Sequence, residues 1–187
     1  MLVEGKVLGT RDLVLMALMI ALVFVAGSII KVPTIGGFVQ IGDCMVFLSV
    51  VVLGKNKGAI TSALGMFLVD IFAGYYMWAP FTFIIKGIMA YIAGVIIEGI
   101  LKHKNSNVGF RIEYILAFMV SGIFMVIAYF FAGAIIAGFL TDKMGLVQGL
   151  AISAKDIIGN VVQVTTGIVI SVPLSAIIVS AKKKVFN

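Results

Sequence analysis

The chain has 187 residues, of which 62% are hydrophobic and 12% are charged, and its mean hydropathy is +1.22. A soluble domain carries about twice that share of charged residues, so the composition excludes an ordinary soluble protein and predicts an integral membrane protein. The net charge is +6, but the basic residues lie in short segments between hydrophobic runs, a pattern that fits membrane orientation rather than nucleic-acid binding.

Six apolar stretches predict an all-α integral membrane protein with six transmembrane helices in one bundle. A crossing needs about 20 apolar residues, so the length leaves room for a single membrane domain over residues 1–187. The second stretch is short, and it spans only with thinning of the bilayer, with tilt or with help from its flanking residues. In chain order, the predicted helices cover residues 12–30, 43–54, 58–75, 80–101, 112–139 and 149–181.

The distribution of Lys and Arg predicts the orientation of these helices. With six crossings, ten of these residues outside the helices fall on one side of the membrane, and two, Lys31 and Lys143, fall on the other. Basic loops are retained in the cytoplasm. We therefore expect both termini to be cytoplasmic and the loops 31–42, 75–80 and 140–148 to face outside.

Four ionisable residues lie inside the hydrophobic sequence: Asp70, Lys86, Lys155 and Asp156. A charge at the bilayer centre costs about 2.5–3.5 kcal/mol on insertion scales, so such side chains usually face a bundle interior or a cavity. The predicted orientation places all four in the outer half of the bundle, where Asp43 begins the second helix. They therefore predict a polar site that opens outward.

More polar side chains are expected at the same depth. Asp156, Asn160 and Gln163 have the spacing i, i+4, i+7 and therefore share one face of the sixth helix. Gln40 precedes the second helix on the outer side. We expect this helix face to line a cavity, with Asp156 as a ligand contact, whereas the sequence assigns no role to Lys155.

Three of the charged residues also have structural interpretations. Asp70 and Lys86 either form a buried ion pair between the third and fourth helices, whose disruption would leave an uncompensated charge, or contact a ligand. Lys86 is the member expected to donate to a ligand oxygen. Asp43 lies at an N-cap position, where its carboxylate would accept backbone N–H groups, and it is a ligand candidate as well.

An aromatic group separates the third and fourth helices. It forms either a belt at the membrane interface or, through one or two of its members, a surface on which a flat ligand stacks. Tyr75 and Trp78 are the candidates for stacking. The group consists of Tyr75, Tyr76, Trp78 and Phe81.

Three motifs connect the first half of the chain with a known family. The stretches VPTIGGFVQIGDCMVFLSVVVLGKNKGAI and FLVDIFAGYYMWAPFTFIIKGIMAYIAG contain P-x-x-G-G-x-V-x-x-G-D before the second helix, D-x-x-x-G-Y after the third and P-x-T-x-x-x-K-G at the start of the fourth. In these motifs the chain resembles the substrate-binding S components of energy-coupling factor (ECF) vitamin transporters, in the riboflavin-type branch.

The resemblance implies a subunit of a prokaryotic plasma membrane that captures a vitamin at the extracellular side. The partners that it implies are the bilayer, a transmembrane T component and two ATPase subunits, which hydrolyse ATP. The chain itself has no G-x-x-x-x-G-K-[ST] phosphate loop. We therefore expect no enzymatic activity, no cofactor, no metal and no nucleic-acid partner.

The resemblance also implies roles for two pairs of small residues. Ala17 and Ala21 form an A-x-x-x-A motif on one face of the first helix, and small residues allow helices to approach closely in membranes. In the family, such a motif docks on the T component. Gly36 and Gly37 permit unusual backbone geometry, and they belong either to a gate over the site or to a plain connecting loop.

The polar set suits a flat ring with few charges. Large apolar residues (Phe47, Phe67, Phe72 and Phe83) are expected to fill the surrounding helices, which favours a small single-ring vitamin, such as a B6 vitamer or the thiamine-precursor pyrimidine, with riboflavin next. The predicted substrate-binding residues are Gln40, Asp43, Asp70, Tyr75, Trp78, Lys86, Asp156, Asn160 and Gln163.

Two functions of other classes compete with this interpretation. A stand-alone secondary carrier would use Lys86, Asp70 and Asp156 as a proton relay, but such carriers often have repeated halves, which the chain does not show clearly. An intramembrane enzyme needs a nucleophile with a base, or a metal cluster. The chain has one histidine, His103, one cysteine, Cys44, and no H-E-x-x-H motif.

Overall fold

The computed structural model describes residues 2–3, 6–7, 9–29, 31–33, 38–103, 110–141 and 145–186. In these ranges the chain forms six α-helices, and a π-helical segment, Ile136–Thr141, follows the fifth. The prediction of an all-α membrane protein is confirmed. The helices are α1 (Thr10–Ile29), α2 (Asp43–Leu53), α3 (Lys55–Phe72), α4 (Ala79–His103), α5 (Phe110–Ile135) and α6 (Leu146–Phe186).

Two short antiparallel hairpins accompany the helices, and the sequence pattern predicted neither. One pairs β1 (Leu2–Val3) with β2 (Lys6–Val7), and the other pairs β3 (Lys31–Pro33) with β4 (Phe38–Gln40). The second hairpin occupies the segment between α1 and α2 that was expected to be a loop. Its strands are only three residues long, too short for the alternation of apolar and polar residues that identifies a strand.

Among the described residues, four helices rather than six are long and apolar enough to cross a membrane by length and composition. The four candidate spans are Thr10–Ile29, Ala79–Ile100, Glu113–Leu140 and Leu146–Ala181. Helix α2 has 11 residues, which corresponds to about 16 Å and is about half of the hydrocarbon thickness. Helix α3 is longer, but it carries Lys55, Lys57 and Asp70. Six crossings and the orientation of the termini therefore stay predictions.

Helix α2 lies at the centre of the bundle, because it packs against α1, α3, α4 and α6. All but one of the residues from Asp43 to Val50 are buried, the exception being Met45. The ring of Phe47 stacks on that of Phe118 from α5, with 4.3 Å between the centroids. Around this core, α3 packs against α1 and α4, and α5 packs against α4 and α6.

Glycines determine how closely the helices approach α2. Gly54 separates α2 from α3 and has a φ of 80°, a left-handed conformation that residues with a Cβ rarely adopt. Gly167 of α6 lies against the start of α2, where a Cβ at this position would be 2.8 Å from the Cβ of Asp43. The small glycines thus permit contact between backbones that larger residues would separate.

Two ion pairs mark one end of the bundle. Lys57 lies 2.8 Å from Asp12, and Lys55 lies 2.8 Å from Glu98. At this end α1 begins, α2 and α4 end and α3 begins. The opposite end, where α2 and α4 begin, carries the β3–β4 hairpin and the site described below.

Candidate functional site

A cavity of about 60 Å³ lies at the end of the bundle opposite to these two ion pairs. Strand β4, α3, α4, α5 and α6 and the connection between α3 and α4 all contribute to its wall. Seven of the nine residues that were predicted to bind substrate line it. These are Gln40, Asp70, Tyr75, Trp78, Asp156, Asn160 and Gln163.

Helix α6 contributes three polar side chains to the wall. Asp156, Asn160 and Gln163 all line the cavity, because their spacing places them on one face of the helix. Gln163 is buried, whereas Asp156 and Asn160 are half-buried and the adjacent Lys155 is exposed. Of these two neighbours in sequence, Asp156 therefore lines the cavity and Lys155 does not.

The two remaining candidates, Asp43 and Lys86, lie behind the cavity. Lys86 Nζ is 2.5 Å from Asp43 Oδ1, and both side chains are fully buried. The other carboxylate oxygen of Asp43 accepts a hydrogen bond of 3.1 Å from Gln163 Nε2. Helices α2, α4 and α6 are therefore joined by a network of three polar side chains, which we call the Asp43 cluster.

The Asp43 cluster corrects two structural interpretations made from sequence. Lys86 pairs with Asp43 of α2 rather than with Asp70 of α3. Asp43 is not the N-cap of α2, because that position is occupied by Gly42, and no side chain caps this helix end. The carboxylate of Asp43 instead accepts hydrogen bonds from two side chains that are distant in sequence.

Asp70 lines the cavity with one unsatisfied atom. The side chain is buried, and the Thr82 hydroxyl beside it accepts a hydrogen bond of 3.2 Å from the Tyr129 hydroxyl. Oδ2 of Asp70 is also buried and has no hydrogen-bond partner within the described part of the chain. The cavity wall therefore offers an acceptor whose capacity is not used.

Strand β4 forms the wall nearest to the β3–β4 hairpin. The backbone N–H of Gln40 donates a hydrogen bond of 3.2 Å to Gln163 Oε1, which ties the hairpin to α6. The Gln40 side chain accepts a bond from the backbone N–H of Gly42. Gly36 and Gly37, the predicted gate residues, lie outside the described residues, so the gate stays a prediction.

Aromatic rings form two groups at the cavity. Phe38 and Tyr75 have centroids 4.9 Å apart, and Trp78 and Tyr129 have centroids 6.0 Å apart. Tyr76, which sequence placed with Tyr75 and Trp78, is exposed and does not line the cavity. The aromatic cluster therefore divides into residues that face the site and at least one that faces away.

The phenylalanines that were expected to surround the site do not all do so. Phe47 is fully buried, but Phe72 is 75% exposed, and Phe83 also lies on the outer surface. For these two exposed residues, the prediction that large apolar side chains fill the surroundings of the site is wrong.

Five residues of the wall were not among the predicted site residues. Thr82 is the threonine of the P-x-T-x-x-x-K-G motif, so the motif marks its position although Thr82 was not predicted to be a site residue. Tyr129 lies in α5, where no motif marks it. The five residues are Phe38, Val39, Met66, Thr82 and Tyr129.

Outside the cavity, Ala17 and Ala21 are exposed along one side of α1. They lie in a stripe of the helix surface with the exposed residues Val14, Leu18 and Val25. Within the described ranges, no three His, Cys, Asp or Glu side chains come together as a metal site requires.

The sequence model of the family described as "ECF-type riboflavin transporter, S component" matches residues 7–180. The match covers most of the chain and both halves of the bundle. The chain belongs to this S-component family. It is therefore a multi-pass membrane protein from a family of transporter subunits rather than of enzymes, as the three motifs of the first half predicted.

Two relatives of this S component cover different shares of it. The thiamine precursor transporter HmpT of Lactococcus lactis subsp. cremoris (strain MG1363) is 29% identical over 171 residues, which are 90% of this chain and 87% of the relative. An uncharacterised protein of Pyrococcus woesei is 31% identical over 130 residues, which are 66% of this chain and 82% of that protein. The family description and the HmpT name refer to different vitamins.

Proposed function

We propose that this S component captures a thiamine-precursor pyrimidine at the extracellular side and delivers it through an ATP-driven ECF importer. The observation that carries the choice of substrate is the small cavity with a mixed polar and aromatic wall. By the usual allowance of about 10–15 Å³ per water, it holds roughly four to six water molecules. That is the scale of one substituted ring, and it is small for the three fused rings of riboflavin.

The similarity to HmpT supports the same choice, because that protein is named as a thiamine precursor transporter and aligns with nine-tenths of this chain. A B6 vitamer has a ring of comparable size and is the second candidate. Riboflavin, the vitamin in the family description, is the third, because it would require the wall to move.

The importer would divide the work between subunits. The cavity of this chain would bind the vitamin, while a T component and two ATPase subunits would supply the energy for its release into the cytoplasm. Ala17 and Ala21 are the proposed contacts with the T component, since they lie exposed on α1 and small residues allow a partner helix to approach closely. Gly36 and Gly37 are proposed to belong to the gate.

Uptake of the labelled pyrimidine into proteoliposomes tests the importer. We expect transport only when the purified chain is reconstituted with the T component and the ATPases and when ATP is enclosed. Transport by the chain alone, driven by a proton gradient, would instead establish a secondary carrier.

Mass spectrometry of small molecules that copurify with the chain tests the substrate without assuming it. Recovery of the pyrimidine supports the proposal, whereas recovery of pyridoxine or riboflavin replaces the substrate and leaves the importer in place.

A further inference from the structure

One carboxylate at the cavity is incompletely satisfied. Asp70 is only 4% exposed, and its Oδ2 has no hydrogen-bond partner among the residues that the structure describes. A buried carboxylate oxygen that has lost water without gaining a donor is unfavourable. A ligand N–H in the cavity would supply the missing donor.

The formal charges on the cavity wall have one sign. Its ionisable lining residues include Asp70 and Asp156, and none of the described residues that line it is Lys, Arg or His. An anionic ligand would meet the buried carboxylate of Asp70 there, which carries the same sign of charge. A cationic or donor-rich ligand would meet complementary groups.

Two lysines lie near the cavity wall. Lys86 is paired with Asp43 at 2.5 Å, and Lys31 Nζ lies 5.0 Å from the centroid of the Phe38 ring. Both act on Asp70 through space, but neither of them lines the cavity. The carboxylate therefore keeps an unused acceptor although cations lie in its surroundings.

The aromatic wall favours the same class of ligand. Tyr75 and Trp78 line the cavity on the side of the α3–α4 connection. Aromatic faces attract cations and stack on flat rings. A flat ring that carries an amino group, or that accepts a proton on a ring nitrogen, would satisfy both the carboxylate and the aromatic rings.

From these contacts we infer that Asp70 determines specificity: it accepts a hydrogen bond from the amino or protonated edge of a small basic heterocycle, and the acidic wall excludes phosphate esters of the same ring. The inference rests on the proposed function, since it concerns the same cavity. Aminopyrimidines are the compound class that fits it. The function of Asp70 is thus recognition, and the ion pair between helices is formed by Lys86 and Asp43.

Titration calorimetry on the purified full chain tests the inference with three probes. They are the hydroxymethyl aminopyrimidine half of thiamine, its phosphate monoester, and the analogue in which an oxo group replaces the amino group. For the unchanged chain we expect the aminopyrimidine to bind at least about 100-fold more tightly than the monoester, since a buried unpaired charge is strongly unfavourable.

Asp70→Asn retains the shape of the side chain and removes its charge. We expect the affinity for the aminopyrimidine to fall about 10- to 100-fold, the range for hydrogen bonds to charged groups, and its preference over the oxo analogue to largely disappear. If Asp70 had a purely structural role, the substitution would weaken the binding of the aminopyrimidine and of the oxo analogue equally. If Asp70→Asn is not recovered in folded form, Asp70→Ser is measured in its place, with the same expected loss of preference.

Asp12→Asn is the matched control, because Asp12 is a carboxylate paired with Lys57 at the other end of the bundle. It should leave the affinities within about twofold, as distant sites act independently. Unchanged preference in the Asp70 variants, or loss of preference in Asp156→Asn alone, would overturn the inference. If the unchanged chain binds riboflavin and neither pyrimidine, the proposed substrate fails instead, and the role of Asp70 fails with it.

Discussion

The Asp43 cluster and the cavity wall at Asp70 show two ways of placing a carboxylate inside the bundle. Asp43 accepts hydrogen bonds on both of its oxygens, from Lys86 and from Gln163, and it is completely buried. Asp70 keeps a buried carboxylate oxygen without a hydrogen-bond partner in the described part of the chain. Asp43 therefore has both oxygens paired within the protein, whereas one oxygen of Asp70 still lacks a hydrogen-bond donor, which is the basis of the role proposed for it.

The largest effect is expected from breaking the Asp43 cluster. Lys86→Met leaves a buried, uncompensated carboxylate and should lower the free energy of unfolding by about 3–5 kcal/mol. The double variant Asp43→Asn, Lys86→Met should recover most of that loss, because neither charge is then unpaired. Thermal unfolding in detergent measures both.

Lys57→Met is the control for this prediction, because Lys57 forms a partly exposed ion pair with Asp12. Such pairs contribute about 0–1 kcal/mol. A loss in Lys86→Met no larger than in Lys57→Met would contradict the assignment of the Asp43 cluster to stability.

Gly167→Ala tests the same cluster through packing rather than charge. The added Cβ would lie 2.8 Å from the Cβ of Asp43, so α6 has to move away from α2. We expect a loss of about 1–3 kcal/mol in the free energy of unfolding, the usual effect of overpacking.

Gly99→Ala provides the comparison, since a Cβ on Gly99 of α4 meets no atom within 4 Å. Alanine at an open helical position is favourable by up to about 1 kcal/mol. Equal thermal midpoints for the two alanine variants would show that α2 and α6 are not in close contact at Asp43.

At the cavity, Trp78→Ala should weaken binding of the aminopyrimidine about 5- to 30-fold without a comparable change in stability, given typical energies of contacts between aromatic rings and cations. Tyr76→Ala is the matched control, because Tyr76 lies in the same connection but is 66% exposed. Unchanged affinity in Trp78→Ala would assign Trp78 to a membrane belt instead, and a greater loss in Tyr76→Ala would place the ligand beside Tyr76. Fluorescence quenching of the native chain and calorimetry of the variants provide the measurement.

The smallest effect is expected for Asn160→Ala. Asn160 lines the cavity and is half-buried, and a neutral hydrogen bond contributes about 0.5–1.5 kcal/mol, which corresponds to about a 2- to 13-fold change in affinity. Lys155→Ala should change affinity less, because Lys155 is exposed on the same helix. Calorimetry that ranks Lys155→Ala above Asn160→Ala would place the ligand on another face of α6.

The membrane class, the family and the face shared by Asp156, Asn160 and Gln163 followed from the sequence, because hydrophobicity, motif spacing and helical periodicity are local properties. The partner of Lys86 did not follow. The sequence offers both Asp43 and Asp70 as partners for Lys86. Which of them forms the pair depends on how α2 packs between α4 and α6, and glycines such as Gly167 permit that packing.

The wall residues that were missed have a similar explanation. Tyr129 lines the cavity and donates a hydrogen bond to Thr82, which is 47 positions away in the chain. Nothing in the sequence around Tyr129 marks it as a site residue. The pairing of β3 with β4 brings Phe38 to the cavity. Strands of three residues are too short to be recognised from their composition.

Gln163 connects the two regions through the polarity of a single amide. Its oxygen accepts from the backbone N–H of Gln40, and its nitrogen donates to Asp43. A rotation that exchanged the two ends would place like dipoles against both partners. The negative charge of Asp43 therefore selects the amide orientation that anchors the hairpin. Asp43, which does not line the cavity, thus helps to hold strand β4 in its place on the cavity wall.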